Sequence, residues 1–277
     1  HAAHWDETCE FPLAAIARAG ELGFCGIYTP EALGGLGLTR LDAAIILEEL
    51  AAGCTSTAAY ISIHNMVTWM VASFAPDAFA CEWVPQLASG AKLGSYCLTE
   101  PNAGSDAASL KTRAVRRGDR YYLSGSKVFI SGAGATDMLV VFARTGDDGA
   151  KGVSAFAVPA DSPGISFGKK EHKMGWNNQP TRAISFDEVE VPAENIIGQE
   201  GQGWAIAQSS LSAERGLMIF ELSERLRCFI RQMIAAAGAG ARWWRDDQYR
   251  REFVRAYADS EALALMIRAM LEQNAEH

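Results

Sequence analysis

The chain has 277 residues, 49% of them hydrophobic, and its 33 acidic and 25 basic side chains leave a net charge of −8. A composition that can build a core excludes a disordered tail or a disulfide miniprotein, and the acidic balance argues against a nucleic-acid partner held through its phosphates. No run of about 18 apolar residues marks a membrane span, and residues 1–10 lack the basic and apolar blocks of a secretory signal, so a soluble, intracellular, non-secreted protein is expected.

The length implies two or three packed subdomains. Residues 11–91 carry helical signals. Apolar side chains at helical spacing over 41–50 follow a Thr39-x-x-Asp42 cap pattern, and Gly53 is a natural stop. A second helix is expected over 56–74, apolar on nearly every side and therefore buried. Near Lys92 the pattern changes, and β-branched and aromatic residues alternate with polar ones between Gly-rich turns. Strands are predicted over 93–99, 110–116, 120–131, 138–144, 153–159 and 181–191, with Arg117-Gly118-Asp119 as a hairpin turn. Short connections favour an antiparallel barrel over a βαβ sheet. After Gly198-Gln199-Glu200-Gly201-Gln202-Gly203, a helical stripe through Trp204, Ala207, Leu211, Met218, Leu222, Leu226, Phe229 and Met233 predicts a long helix to Ile234. A break over 235–240 precedes another helix over 250–272. The expected organisation is a helical domain at 1–91, a β-domain at 92–197 and a second helical domain at 198–277. The cysteines Cys9, Cys25, Cys54, Cys81, Cys97 and Cys228 form no C-x-x-C pair, so reduced, mostly buried thiols are expected, with no metal site.

Two stretches carry chemistry. The first, Tyr96-Cys97-Leu98-Thr99-Glu100-Pro101-Asn102-Ala103-Gly104-Ser105-Asp106, leaves a strand and enters a loop punctuated by Pro and Gly. Such a loop turns backbone N–H groups toward one point beside the Thr99 and Ser105 hydroxyls, which suits a pyrophosphate or a flavin ring edge. Composition alone makes it an ordinary loop. The second, Lys127-Val128-Phe129-Ile130-Ser131-Gly132, ends a strand with an aromatic and a hydroxyl on one face. On its own it is a strand edge.

Together and in this order, the two stretches resemble the acyl-CoA dehydrogenase family. There, Y-C-[LV]-T-E-P-x-[AS]-G-S-D opens the flavin site and K-x-[WF]-I-[ST] sets an aromatic and a hydroxyl against the isoalloxazine. Lys173-Met174-Gly175-Trp176, Pro180-Thr181, Phe186, Val191-Pro192, Asn195, Gly198 and Gly201-Gln202-Gly203 follow in register. From Thr55 to Trp204 the sequence is most similar to the isobutyryl-CoA, short branched-chain type. The resemblance implies an α+β fold: a helical N-terminal domain, a β-barrel middle domain and an incomplete C-terminal helical bundle, with FAD between the last two. It places Tyr96, Leu98, Thr99, Gly104 and Ser105 against FAD, Ser105 also near the CoA end of the substrate, and Phe129, Ile130 and Ser131 at the flavin ring. Glu100 and Asp106 are expected to order the loop. It further implies an acyl-CoA substrate, electron-transferring flavoprotein as acceptor, a homo- or hetero-oligomer (dimer or tetramer), and a bacterial cytoplasmic or mitochondrial matrix setting in fatty-acid or branched-chain amino-acid catabolism.

The helical stripe places Arg215 among apolar residues and Glu214 at their edge, and charges there are costly unless paired or used. A salt bridge within the bundle is one reading. The resemblance supplies another, because Ser212-Ala213-Glu214-Arg215 matches the helix segment that faces the substrate. The isovaleryl and long-chain types carry their catalytic base at the position of Glu214, whereas most members take it from a distant Glu-Gly loop. Relative to the family, the chain is expected to lack the first N-terminal helix and the Glu-Gly-Thr loop. It carries Ala241-Arg242-Trp243-Trp244-Arg245-Asp246-Asp247 where Arg-x-x-Phe-Gly reaches a neighbour's FAD. A catalytically silent or FAD-sharing subunit is therefore the alternative to an active dehydrogenase, and a flavin monooxygenase or nitroalkane oxidase a third reading. Lys169-Lys170-Glu171-His172-Lys173 reads as a solvated hairpin edge, His64 as a satisfied core histidine, and Met66, Trp69, Met70 and Phe74 as core or acyl-pocket wall.

Overall fold

The structure, a computed structural model, describes residues 1–238, 240 and 242–274, and for 212–225, 273 and 274 it describes the helix backbone alone. The chain opens with α1 (Ala2–Thr8), where the sequence gives no helical signal, followed by α2 (Leu13–Glu21). Helix α3 (Arg40–Phe74) starts where expected. Thr39 Oγ1 accepts from the Asp42 N–H at 3.1 Å and the Asp42 carboxylate accepts from the Thr39 N–H at 2.9 Å, which satisfies two helix-end donors reciprocally. The Thr39 hydroxyl, which donates to the Asp42 carboxylate at 2.6 Å, and then the Thr39 N–H hold that carboxyl below the usual range. The helices expected over 41–50 and 56–74 are one helix broken at a single residue: Cys54, next to Gly53, has φ −156° and ψ 99°. By length and composition α3 is apolar enough to cross a bilayer. Here it is the central core helix, with Tyr60, Ile61, Val67, Met70 and Val71 buried, and α4 (Asp77–Ala88) packs beside it.

The strands are β1 (Gly94–Cys97), β2 (Arg113–Arg117), β3 (Arg120–Ser131), β4 (Met138–Arg144), β5 (Val153–Pro159), β6 (Ile165–Phe167), β7 (Thr181–Pro192) and β8 (Ile196–Ile197). They pair in the order β6-β7-β3-β2-β4-β5-β8, and β1 joins β4. The predicted hairpin is present, with Arg117 opposite Arg120 and Gly118 at φ 66° in the turn. Two features depart from the sequence reading. Strands β6 and β8 were not predicted, and β1 runs parallel to β4, from Gly94 opposite Met138 to Cys97 opposite Val141. A parallel neighbour needs a long crossover, and the β2–β3 hairpin supplies it.

Every residue of β4 is buried. Leu139, Val141 and Ala143 join Leu123, Phe156, Val158, Ile184 and Val189 in a core enclosed by the strands themselves. Met138, Val140 and Phe142 face the other way, onto Met66, Met70, Val84 and Leu87 of the helices. A strand covered on both faces needs no polar alternation, hence the unbroken apolar run. The glycine-rich connection is anchored, since the Gly198 N–H donates to Phe74 O at 2.6 Å and the Gly201 N–H to Ser154 Oγ at 2.8 Å. Helix α5 (Gly203–Gly238) begins hard against β5: a Cβ on Gly203 would lie 2.6 Å from the Ser154 carbonyl carbon. Arg227 then bridges Glu48 of α3 at 2.8 Å and Glu261 of α6 (Asp247–Asn274) at 3.1 Å. No disulfide joins the cysteines among the described residues. Cys25 and Cys97 are buried, with burial pushing both thiols up to about 12, but Cys9 and Cys81 are exposed, contrary to a mostly buried set.

Candidate active site

Where β1 ends, Glu100 organises the loop that follows. Its carboxylate accepts from the Lys111 N–H at 2.6 Å, the Thr112 N–H at 2.9 Å and the Lys127 ammonium at 2.8 Å. Lys127 is fully buried and Glu100 only 7% exposed, so this is an interior ion pair in which backbone groups share the bonding. Burial alone would raise the Glu100 carboxyl, but the Lys127 charge and these donors outweigh it and hold it low. Burial lowers the Lys127 ammonium against the pull of Glu100. Lys127 also donates to Leu98 O at 3.0 Å, and the Val128 N–H to Thr99 O at 2.9 Å. The two motif stretches are thereby knitted side by side.

On β3 both Lys127 and Ile130 point inward, with two residues between them instead of one. The register shows the consequence: Lys127 opposes Ile184 and Ile130 opposes Arg182, a β-bulge. Phe129 is extruded at φ 58° with 65% of its surface exposed. A left-handed conformation is costly for a bulky residue and tends to mark functional sites. Ser131 follows, half-buried, its carbonyl taken by Ser95 Oγ at 2.7 Å. The hydroxyls of Thr99, Ser105 and Ser131 make no hydrogen bond among the described residues. Gly104 and Ser105 are exposed beyond the tight Glu100–Ala103 turn, with open space around Gly104.

The remaining predicted residues divide. The Tyr96 ring is half-buried and meets Phe142 edge-on at 5.1 Å. Leu98 and Ile130 are 5% and 2% exposed, their side chains in the cores, so the group each can offer a ligand is its backbone. Ser212, Ala213, Glu214 and Arg215 fall on α5, but their side chains lie outside the described residues. His64 is the satisfied core residue expected. Its Nδ1 accepts from the Gly94 N–H at 3.1 Å, which makes Nε2 the donor to Leu87 O at 2.9 Å. Burial lowers its pKa to about 4, so it is neutral and pins β1 to α3. Lys173 departs from the solvated edge read for its cluster: half-buried, it donates to Trp176 O, Gln179 O and Thr181 Oγ1, and burial lowers its pKa. Sequence reasoning missed Lys127 as the partner of Glu100. Its place at the centre of an apolar, alternating strand was the available signal.

Comparison with known proteins gives the same frame. Residues 1–91 match the acyl-CoA dehydrogenase N-terminal domain model and residues 95–189 the middle domain model. The solved butyryl-CoA dehydrogenase of Megasphaera elsdenii superposes with a TM-score of 0.92 at 30% identity, over 98% of this chain and 73% of that one. The chain belongs to the acyl-CoA dehydrogenase family. A glutaryl-coenzyme A dehydrogenase structure matches with a TM-score of 0.93 at 29% identity, over 99% of this chain and 71% of that one. Among curated proteins, the mitochondrial isobutyryl-CoA dehydrogenase of Bos taurus is 51% identical over 215 residues, which is 78% of this chain and 52% of that protein. The chain spans about half the length of the curated relatives it matches. Acyl-CoA dehydrogenases are flavoprotein oxidoreductases, and the residues present here fit FAD: the Thr99 and Ser131 hydroxyls are uncommitted among the described residues, and they lie on the two stretches joined by the Lys127–Glu100 pair, one of which extrudes the aromatic Phe129.

Proposed function

We propose that this protein desaturates a short or branched-chain acyl-CoA between its α and β carbons, with FAD as cofactor, to give the 2-enoyl-CoA. The observation that carries the reading is the Phe129 ring, exposed and held at a positive φ on the strand that the Val128 N–H ties to Thr99 O. Bound FAD supplies the acceptor for the β-hydride. Thr99, Ser131 and Phe129 would hold its ring system, with Tyr96 behind them, while Gly104 and Ser105 offer N–H and hydroxyl donors to phosphate or pantetheine. Removing the α-proton of a thioester requires a carboxylate shielded from water, its pKa raised by burial. Glu214 on α5 is the residue assigned to that proton, Arg215 to the charge balance beside it, and Ser212 and Ala213 to the acyl wall. Electron-transferring flavoprotein is the proposed acceptor, and a dimer or tetramer the proposed assembly. The similarity to isobutyryl-CoA dehydrogenase supports a branched acyl group.

One observation favours the second reading, a silent or FAD-sharing subunit. Where Arg-x-x-Phe-Gly is expected, Trp243 and Trp244 meet edge-on at 5.4 Å and close around Phe253. The test is the flavin absorbance of the purified protein, followed by anaerobic bleaching with a panel of acyl-CoAs. Bleaching by isobutyryl-CoA is expected. Colour without bleaching by any thioester supports the second reading, and a colourless protein that takes up no added FAD refutes the first.

A further inference from the structure

Asn178 is fully buried in the loop between β6 and β7, yet its carboxamide closes the break in α3. The Ser56 hydroxyl donates to Asn178 Oδ1. The two Nδ2 hydrogens go to Cys54 Sγ at 3.2 Å and Thr57 Oγ1 at 3.1 Å, and the Thr57 hydroxyl passes its own hydrogen to Cys54 Sγ at 3.1 Å. The whole carboxamide is spent on the one turn of α3 whose backbone is not helical. A helix interrupted this way needs a partner inserted at the break to fix its angle. Packing does not do so here, because a cavity of about 520 Å³ opens beside Gly53, Cys54, Thr55 and Ser56.

The loop that carries Asn178 is itself immobilised. The Asp6 carboxylate accepts from the Asn177 N–H at 2.9 Å and from its side chain at 3.1 Å, and Lys173 gathers Trp176 O, Gln179 O and Thr181 Oγ1. Two residues on, Pro180 O accepts from the Gly132 N–H at 2.7 Å, and Thr181 pairs with Ser131. Six residues past the break, Tyr60 reaches the same place. A Cβ on Gly132 would lie 2.7 Å from the Tyr60 ring, and the Tyr60 hydroxyl donates to Gly94 O at 3.2 Å. His64, one turn further, holds the Gly94 N–H. The helix segment 60–64 therefore backs Gly132 at the end of the second stretch and Gly94, where the strand leading into the first begins.

We propose that Asn178 is a positioning residue for the site: by setting the angle of α3 at Cys54, it sets how segment 60–64 seats the strand end Phe129–Ser131 and the start of β1. The inference rests on the dehydrogenase reading for its kinetic consequence only. In the purified full chain, Asn178→Ala is expected to lower the anaerobic flavin-reduction rate per bound flavin on the order of tenfold to a hundredfold, the usual consequence of a displacement near 1 Å. The ratio of rates for branched and straight-chain acyl-CoAs should change as well. Thr57→Val, which keeps the Ser56 bond, should move both quantities the same way by less, and it carries the test if the alanine variant does not fold. A lower melting temperature with an unchanged rate per flavin and an unchanged ratio would overturn the proposal. Amide hydrogen exchange separates it from the reaction itself. Faster exchange across 55–64 and 129–132 is expected even if no thioester reduces the flavin, and a change confined to 176–180 would refute the coupling.

Discussion

Lys127→Met is the sharpest perturbation of the site's frame. The wild-type ammonium is fully buried and serves Glu100 at 2.8 Å and Leu98 O at 3.0 Å. Methionine fills similar space but leaves a buried carboxylate with two backbone N–H donors and no counter-charge. Breaking such a pair from one side costs about 3–5 kcal/mol. At roughly 2–4 °C per kcal/mol for a protein of this order of size, the melting temperature should fall by about 6–20 °C. The pH dependence has a definite sign. Glu100 is held below its ordinary range in the wild type, so its contribution is present above about pH 4.3 and is lost as pH falls through the folded-state value. In the variant, burial without Lys127 raises the carboxyl, so the difference between the two proteins should narrow from pH 7 toward pH 4. Adding Glu100→Leu should recover much of the loss, since removing both charges avoids the unpaired one. Thermal melts of the three proteins across that pH range decide the matter. A Lys127→Met protein that melts within about 2 °C of wild type, or a double variant less stable than the single, would show that the pair does not hold the loop to β3.

Replacing Thr99, Ser105 and Ser131 together by Ala should weaken flavin retention by removing hydrogen bonds worth about 0.5–1.5 kcal/mol each; unchanged flavin occupancy and spectrum would sink that placement. Phe129→Gly should gain about 1 kcal/mol of stability in the flavin-free protein, because glycine accepts a positive φ without strain, while flavin retention drops; a destabilised apoprotein contradicts this. His64 is neutral in the fold with a pKa near 4 against 6.5 for the free group, so the unfolded chain binds the extra proton between those values and stability falls as pH drops through that window, by up to about 3 kcal/mol. His64→Gln should flatten that slope, and an identical slope in the variant would assign it to other groups. Glu214→Gln should preserve folding and flavin binding while slowing anaerobic flavin reduction by several orders of magnitude, and near-normal reduction would exclude Glu214 as the base.

What the sequence determined by itself was local. The Thr39–Asp42 box and the Arg117–Arg120 hairpin each depend on residues within four positions of one another, so their hydrogen bonds are available before the chain collapses. The motif stretches at 96–106 and 127–132 were legible for a related reason, since turn and strand chemistry is written in consecutive residues. Other features waited for tertiary structure. A helix signal gives way to a break at Cys54 whose partner, Asn178, is 124 residues distant, and Lys127 finds Glu100 27 residues back. Strand β1 chooses a parallel neighbour because β4 offers an edge buried on both faces, which no alternation in the strand itself encodes. The bulge that extrudes Phe129 follows from two inward residues, Lys127 and Ile130, each claimed by a different interior partner, and an aromatic surrounded by apolar sequence is driven outward only once those partners are in place.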